Sequence, residues 1–281
     1  MEVFTLWLWP LAALILLPGL LVYFGLHVVE RGIIFVDLAL AQVAALGICV
    51  AIALGAHPGH DALPYVLSLV FTLAGAGLFA WSRFDHPRVP QESIIGIIYV
   101  VAAAASTLVL SHSAEGDEAL KNLLVGNVLL VTRGEVLRTF ALFAAISVVH
   151  TLLRKKFLML TFDEERARAA RVAIRTWDFL FYATFGLTVV AFVQITGVYL
   201  VFSYLIVPAV CGALLSADIR TRLVIGWAVA FLAGVSGLVL SVRLESLDLP
   251  TGPTIVCCFG VLLIACAILM RLRSGRRATS P

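Results

Sequence analysis

Charged residues are scarce in this sequence, and their scarcity decides the class of protein. Only 13% of the 281 residues are Asp, Glu, Lys or Arg, whereas 62% are hydrophobic, and the mean hydropathy is +1.05. A soluble domain carries about 25% charged residues. A chain this apolar would expose too much hydrocarbon to water, so we expect the bilayer to be its solvent. The net charge of +3 is too small to predict a nucleic-acid partner.

The sequence also lacks the short motifs of ATP binding and of common hydrolytic chemistry. It contains no G-x-x-x-x-G-K-[ST] phosphate loop, so it cannot bind ATP in that way itself. It contains neither H-E-x-x-H nor G-x-S-x-G, and we expect no catalytic residues. Its five cysteines fall in apolar segments without C-x2-C spacing. Such cysteines are typical of small buried hydrophobic residues rather than metal ligands.

Long apolar runs fill most of the chain and predict nine membrane-spanning helices, with eight or ten as alternatives. About 20 apolar residues cross a bilayer as a helix. No basic residue precedes the first run, which indicates a span rather than a secretory signal. We therefore predict an all-α polytopic membrane protein with one transmembrane domain over residues 1–281 and no soluble domain. The predicted spans are roughly 1–24, 33–56, 63–81, 93–110, 136–153, 177–194, 197–216, 223–242 and 254–270.

The segment from Arg154 to Arg175 is the most highly charged part of the chain. It reads RKKFLMLTFDEERARAARVAIR and holds ten of the 37 charged residues, seven basic and three acidic. Thr161 followed by Glu164 fits a capping box, which predicts a short helix outside the lipid. Ala167 and Ala170 would give this helix a small-residue surface suited to lie against another protein. A solvated helix without a partner is the alternative.

Basic residues set the predicted orientation. The segment 154–175 holds seven and the tail 271–281 holds four, and both belong in the cytoplasm by the positive-inside rule. Four predicted spans lie between them, an even number, so the two placements agree. The N-terminus and the loop 112–121 then lie outside. The acidic residues of that loop would concentrate cations, although a loop that is merely solvated is the alternative.

Asp37 is the clearest polar residue within a predicted span. A charge at membrane depth costs about 3 kcal/mol and usually faces a cavity or a partner. Gln42 follows on the same helix, rotated from Asp37 by about 140°, so the two do not share a narrow stripe. The alternative is that Asp37 is an interfacial acid, paired with a residue such as Arg31.

Five segments resemble, in order, motifs of the zinc/manganese/iron permeases of ABC transporters. The stretch ERGIIFVDLALAQVAALG at 30–47 resembles their second-span signature, R-G-[IS]-x-F-x-G-D-A-L-[SA]-H-A-x-x-x-G. The resemblance spans residues 20–260. The other four segments are SIIGIIYVVAAAASTLVLS at 93–111, LVGNVLLV at 124–131, the charged stretch 157–171, and QITGVYLVFSYLIVPAVCGALLS at 194–216.

The resemblance implies the permease subunit of an ATP-driven importer of zinc, manganese or iron in the cytoplasmic membrane. Such permeases form homodimers, work with two cytoplasmic ATPase subunits, and receive the metal from an extracytoplasmic binding protein. The metal is the cargo, no cofactor is implied, and the separate ATPase would drive alternating access by pressing on residues 162–172. A metal chelate as the cargo is one alternative. A secondary transporter coupled to H⁺ or Na⁺ through Asp37 is another.

The candidate functional residues form three groups. The transport path is assigned to Asp37, Leu38, Gln42 and Asn127, with Asp37 and Gln42 as candidate metal ligands. Outer-face contacts to the metal or to its binding protein are assigned to His57, His60, His112, Glu115, Asp117 and Glu118. Contacts to the ATPase are assigned to Phe162, Asp163, Glu164, Ala167 and Ala170.

The sequence departs from the family pattern along the expected metal path. When it is aligned without a gap on Arg31 and Gly47, the family's Asp falls on Leu38 and its His on Gln42. Asp37 lies one place away from the expected acid. Oxygen ligands from Asp and Gln favour harder ions such as Mn²⁺, while the loss of an imidazole disfavours Zn²⁺.

Overall fold

The computed structural model describes residues 2–56, 61–83, 89–111, 128, 131–243 and 249–278. Within these ranges nine helices are long and apolar enough to cross a membrane, which confirms the all-α fold and the predicted number of spans. The helices are α1 Glu2–Glu30, α2 Val36–Ala53, α3 Leu63–Trp81, α4 Gln91–Leu110, α5 Arg133–Leu152, α6 Arg154–Phe162, α7 Glu164–Ala169, α8 Ile174–Thr196, α9 Val198–Leu215, α10 Ile219–Arg243 and α11 Thr251–Ala278. The two short helices, α6 and α7, form the charged segment.

The described helices belong to two compact units. The first unit comprises residues 1–29, 125–140 and 195–281, and the second comprises residues 30–124 and 141–194. In the first unit, Tyr204 and Phe259 are fully buried and pack edge to face with ring centroids 4.8 Å apart. In the second unit, the buried rings of Phe79 and Tyr182 pack in the same way at 6.0 Å. Each unit therefore has its own core of aromatic side chains.

The turn between α8 and α9 consists of a single residue, Gly197. Its φ of +78° lies in the left-handed region that residues with a Cβ rarely adopt. The sequence predicts two spans joined by a tight turn here, and this turn is observed.

Helix α2 is enclosed by its neighbours in the second unit because small residues let the backbones approach. A Cβ atom built at Gly47 would lie 2.6 Å from the carbonyl oxygen of Leu67 on α3. A Cβ at Gly186 on α8 would lie 2.5 Å from the Thr72 side chain and 3.6 Å from Leu40 of α2. Helix α2 therefore packs closely against α3, with α4 as its other main neighbour, and its polar residues Asp37 and Gln42 are buried in protein.

We expect Gly47→Ala to lower the free energy of unfolding by about 1–3 kcal/mol, because the new methyl group meets backbone that cannot turn away. Gly96 on α4 is the matched control, since no atom lies within 4 Å of the position of its missing Cβ. There the same substitution should be neutral or stabilising by up to about 1 kcal/mol. Thermal unfolding in detergent measures both variants. Equal midpoints for the two would contradict the close approach at Gly47.

Candidate functional site

Asp37 is the second residue of α2 and is buried, with 1% of its surface exposed. Its Oδ1 accepts a hydrogen bond of 2.7 Å from the backbone N–H of Leu38. A carboxylate is favourable at this end of a helix because the helix dipole is positive there. The carboxylate of Asp178 lies 3.0 Å from Arg31, so the suggested Asp37–Arg31 pair is wrong. Asp37 is therefore a buried acid at the start of the second span.

Gln42 lies one turn further along α2 and is also buried. Its Nε2 donates to Ser106 Oγ of α4 at 3.5 Å, and the Cys49 thiol lies close to the same serine. Gln42 and Cys49 are seven residues apart, which is about two helical turns and places both on one face of α2. The structure thus brings together Gln42, Ser106 and Cys49, whereas Leu38 is half-buried on the same helix.

No motif in the sequence indicates Ser106 as a site residue or Cys49 as a neighbour of Gln42. The seven-residue spacing of Gln42 and Cys49 was a usable signal, but nothing local to Ser106 indicates that it faces α2. The Gln42 amide and the Ser106 hydroxyl supply neutral oxygen atoms that can bind a cation. In the part of the chain that the structure describes, no cluster of three or more His, Cys, Asp or Glu residues could hold a metal ion.

The candidate outer-face residues and one candidate path residue lie outside the described residues. They are His57, His60, His112, Glu115, Asp117, Glu118 and Asn127. Their assignments remain predictions.

The charged segment forms two helices, α6 and α7, instead of the single helix that the sequence predicts. Asp163 separates them with a non-helical backbone (φ −148°, ψ 66°), and its Oδ1 accepts from the N–H of Arg166 at 3.1 Å. Asp163 is therefore the N-cap of α7, and the predicted capping box of Thr161 with Glu164 is wrong. Thr161 lies inside α6, and its hydroxyl accepts from Arg31 Nε at 3.0 Å. An Asp side chain caps a helix at least as well as Thr, which explains the shift of the helix start.

The surface of α7 differs from the prediction at one alanine. Ala167 is completely buried and cannot contribute to an external contact surface, whereas Ala169 and Ala170 are exposed. The N–H of Val172 bonds to the carbonyl of Ala167, and the N–H of Arg171 bonds to that of Arg168. These bonds form a Schellman motif in which Arg171 has a φ of +51°, at a position where glycine is usual. The small-residue face that α7 offers to a partner is therefore that of Ala169 and Ala170.

Aromatic side chains hold α6 against the rest of the second unit. Phe157 is fully buried, stacks on His150 of α5 with centroids 4.3 Å apart, and meets Trp177 of α8 edge to face at 5.7 Å. His150 also forms a 2.8 Å hydrogen bond with the hydroxyl of Thr184.

A network of ion pairs surrounds Asp178. No motif in the sequence indicated this residue as part of a site. Asp178 is fully buried in the first turns of α8, and its two carboxylate oxygens bind Arg31 at 3.0 Å and Arg83 at 2.6 Å. Arg83 also binds Glu164 of α7 at 2.6 Å, and Glu164 binds Arg168 at 2.7 Å. The only sequence signal was an acid at the start of an apolar span, with arginines at the ends of other spans predicted on the same membrane side.

The ion pairs of the network keep Arg83 and Glu164 in their charged forms. Burial lowers the pKa of Arg83, but the carboxylates of Asp178 and Glu164 outweigh this effect and raise it above its usual value. Burial raises the pKa of the Glu164 carboxyl, but Arg168 and Arg83 outweigh it and hold that pKa below its usual value. Both groups are therefore charged at neutral pH. A cavity of about 370 Å³ lies beside the network, lined by Arg31, Arg83, Glu164 and Arg168 together with Gln91 and Tyr182 among others.

Comparison with known protein families and proteins finds similarity over almost the whole chain. The model of the ABC 3 transport family matches residues 4–270. The chain is 25% identical over 261 residues to the manganese transport system membrane protein MntC of Halalkalibacterium halodurans, covering 90% of this chain and 86% of that protein. It is 28% identical over 172 residues to the chelated iron transport system membrane protein YfeD of Yersinia pestis, covering 61% of this chain and 57% of that protein.

Two solved structures share the fold. PsaBC from Streptococcus pneumoniae, in complex with Fab, superposes with a TM-score of 0.75 at 20% sequence identity, covering 94% of each chain. A protein described as a metal-chelate type ABC transporter in an inward-facing conformation gives a TM-score of 0.68 at 18% identity, covering 91% of this chain and 86% of that one. At these identities the likeness concerns the arrangement of the helices.

Proposed function

Because the chain belongs to the ABC 3 transport family, we propose that it is the membrane-spanning subunit of an ATP-driven importer whose cargo is a divalent metal ion. The observation that carries this proposal is the match of the family model over residues 4–270. The relatives MntC and YfeD are named for manganese and for chelated iron. The sequence has no phosphate loop, so ATP hydrolysis is assigned to a separate cytoplasmic ATPase.

The donors along α2 support a path for an ion that must bind and leave again. Asp37 supplies one carboxylate, and Gln42 with Ser106 supplies neutral oxygens further along. A transport site must be favourable enough for the ion to enter and weak enough for it to leave. Oxygen donors of this kind suit Mn²⁺ or Fe²⁺ better than Zn²⁺, which prefers imidazole or thiolate. A metal chelate is the alternative cargo, supported by the name of YfeD.

The orientation in the membrane, the dimer and the partner proteins are part of the same proposal. The basic segment 154–175 and the tail 271–281 lie in the cytoplasm, which places the exposed face of α7 where an ATPase can reach it. Two copies of the chain form the translocation unit in the cytoplasmic membrane. A binding protein delivers the metal at the opposite face, where His57, His60, His112, Glu115, Asp117 and Glu118 are the candidate contacts.

We expect Asp37→Asn to abolish metal uptake while leaving assembly intact, because the amide keeps the shape of the side chain and removes its charge. The measurement is Mn²⁺ uptake into vesicles, with the amount of ATPase bound to the permease as the assembly readout. Asp218→Asn is the control, since Asp218 is an exposed acid that only caps α10 through Thr221. Uptake at the parent rate in Asp37→Asn would show that Asp37 is an interfacial acid outside the path.

We expect Gln42→His to raise Zn²⁺ uptake relative to Mn²⁺ uptake, because imidazole is a better ligand than an amide for Zn²⁺. Gln194→His is the matched control, since Gln194 is an exposed glutamine in another membrane helix. Both metals are measured in parallel on the same vesicles. A metal ranking that is unchanged in Gln42→His would remove position 42 from the path.

We expect Ala170→Trp to uncouple ATP hydrolysis from transport, because the indole blocks close approach of the ATPase to the exposed face of α7. The control is Ala104→Trp, which adds the same bulk at an exposed position of the membrane helix α4 and should transport normally. Ala167→Trp is unsuitable, since Ala167 is fully buried and its replacement should impair folding. Metal transported per ATP hydrolysed is the readout, and a normal ratio in folded Ala170→Trp would count against docking at this face.

A further inference from the structure

The ion pairs around Asp178 join parts of the second unit that are far apart in sequence. Glu164 belongs to α7, Arg83 follows the end of α3, Asp178 lies in the second turn of α8, and Arg31 precedes α2. The contacts run continuously from Glu164 to Arg83, to Asp178 and to Arg31. One end of this series is therefore on the proposed ATPase-binding helix, and the other is beside the second span.

The turn that precedes α2 is held from two sides. Arg31 fixes its beginning through Asp178 and through the hydroxyl of Thr161. Three residues later, the N–H of Ile34 donates to Oε1 of Glu92 on α4 at 3.0 Å. Helix α2 begins two residues after that, and Asp37 lies in its first turn. Arg31 therefore anchors the turn from which the helix with the candidate metal ligand begins.

The interior part of the series is stiff, and its outer end is adjustable. The side chains of Asp178 and Arg31 are 0% and 5% exposed, so separating them would leave a buried charge without a partner. These groups therefore move together. Glu164 is 39% exposed and borders the 370 Å³ cavity, so its side chain has space to shift with α7.

We propose that the series Glu164–Arg83–Asp178–Arg31 transmits a displacement of α7 to the first turn of α2, and that Glu164 is the positioning residue that connects the ATPase to Asp37. This inference rests on the proposed function. It assigns to Glu164 a role inside the permease, through Arg83, rather than a contact with the ATPase. The pairing of Glu164 with Arg168 within α7 has no part in it, because both residues move with the same helix.

The test is Glu164→Gln in the complete complex, with Mn²⁺ uptake and ATP hydrolysis measured on the same vesicles. We expect the amount of metal transported per ATP to fall about fivefold or more, in the range of typical coupling between two sites. This ratio does not depend on the fraction of folded protein, so a merely structural role would leave it unchanged. Asp218→Asn is the control, because Asp218 is an exposed acid outside the segment that is assigned to the ATPase. Its ratio should equal that of the parent.

A second variant separates the two partners of Glu164. Arg168→Gln removes the pair within α7 while leaving Glu164 and Arg83 in place, and it should keep the parent ratio. A loss in Arg168→Gln as large as in Glu164→Gln would overturn the assignment to Arg83. An unchanged ratio in Glu164→Gln, or loss of the ATPase from its purified complex, would overturn the inference and leave the proposed function standing. Absence of ATP-dependent uptake in the parent complex would instead overturn the proposed function.

Discussion

The interaction on which the second unit most depends is the buried carboxylate of Asp178 held between Arg31 and Arg83. An ion in an apolar interior is tolerated only with good geometry and a full set of partners, and removing one partner of such a pair costs about 3–5 kcal/mol. The two arginines must therefore stay where they are. Since Arg31 precedes α2, Arg83 follows α3 and Asp178 lies in the second turn of α8, this requirement fixes three helices of the second unit relative to one another.

Helix α2 has two regions with chemically different surroundings, one at Asp37 and one at Gln42. Its first turn, with Asp37, adjoins the turn that Arg31 and Glu92 hold in place. Further along α2, Gln42 donates a long hydrogen bond of 3.5 Å to Ser106. The first region is constrained by charge and the second by weak neutral contacts. A path for an ion needs both properties, because the ion must be attracted and must then be released.

Hydropathy and length are local properties, so the nine spans could be predicted from the sequence, and α3 begins and ends at the predicted residues. The contacts of the site could not be predicted, because Arg31 and Asp178 are 147 residues apart and no periodicity relates them. The charged segment was predicted to be helical for good local reasons, yet Asp163 took the capping position in place of Thr161. An alanine such as Ala167 is compatible with an exposed helix surface and with a buried one. The sequence therefore could not tell which applied, and the structure shows that Ala167 is buried.

The most direct test of the central claim is metal uptake into vesicles that contain the purified permease with its ATPase, loaded with ATP or left without it. Mn²⁺ and Zn²⁺ are measured in parallel, with and without an imposed H⁺ or Na⁺ gradient. The account predicts accumulation that requires ATP, is independent of the gradient, and favours Mn²⁺ over Zn²⁺. Accumulation driven by the gradient in the absence of ATP would contradict it and would indicate a secondary transporter.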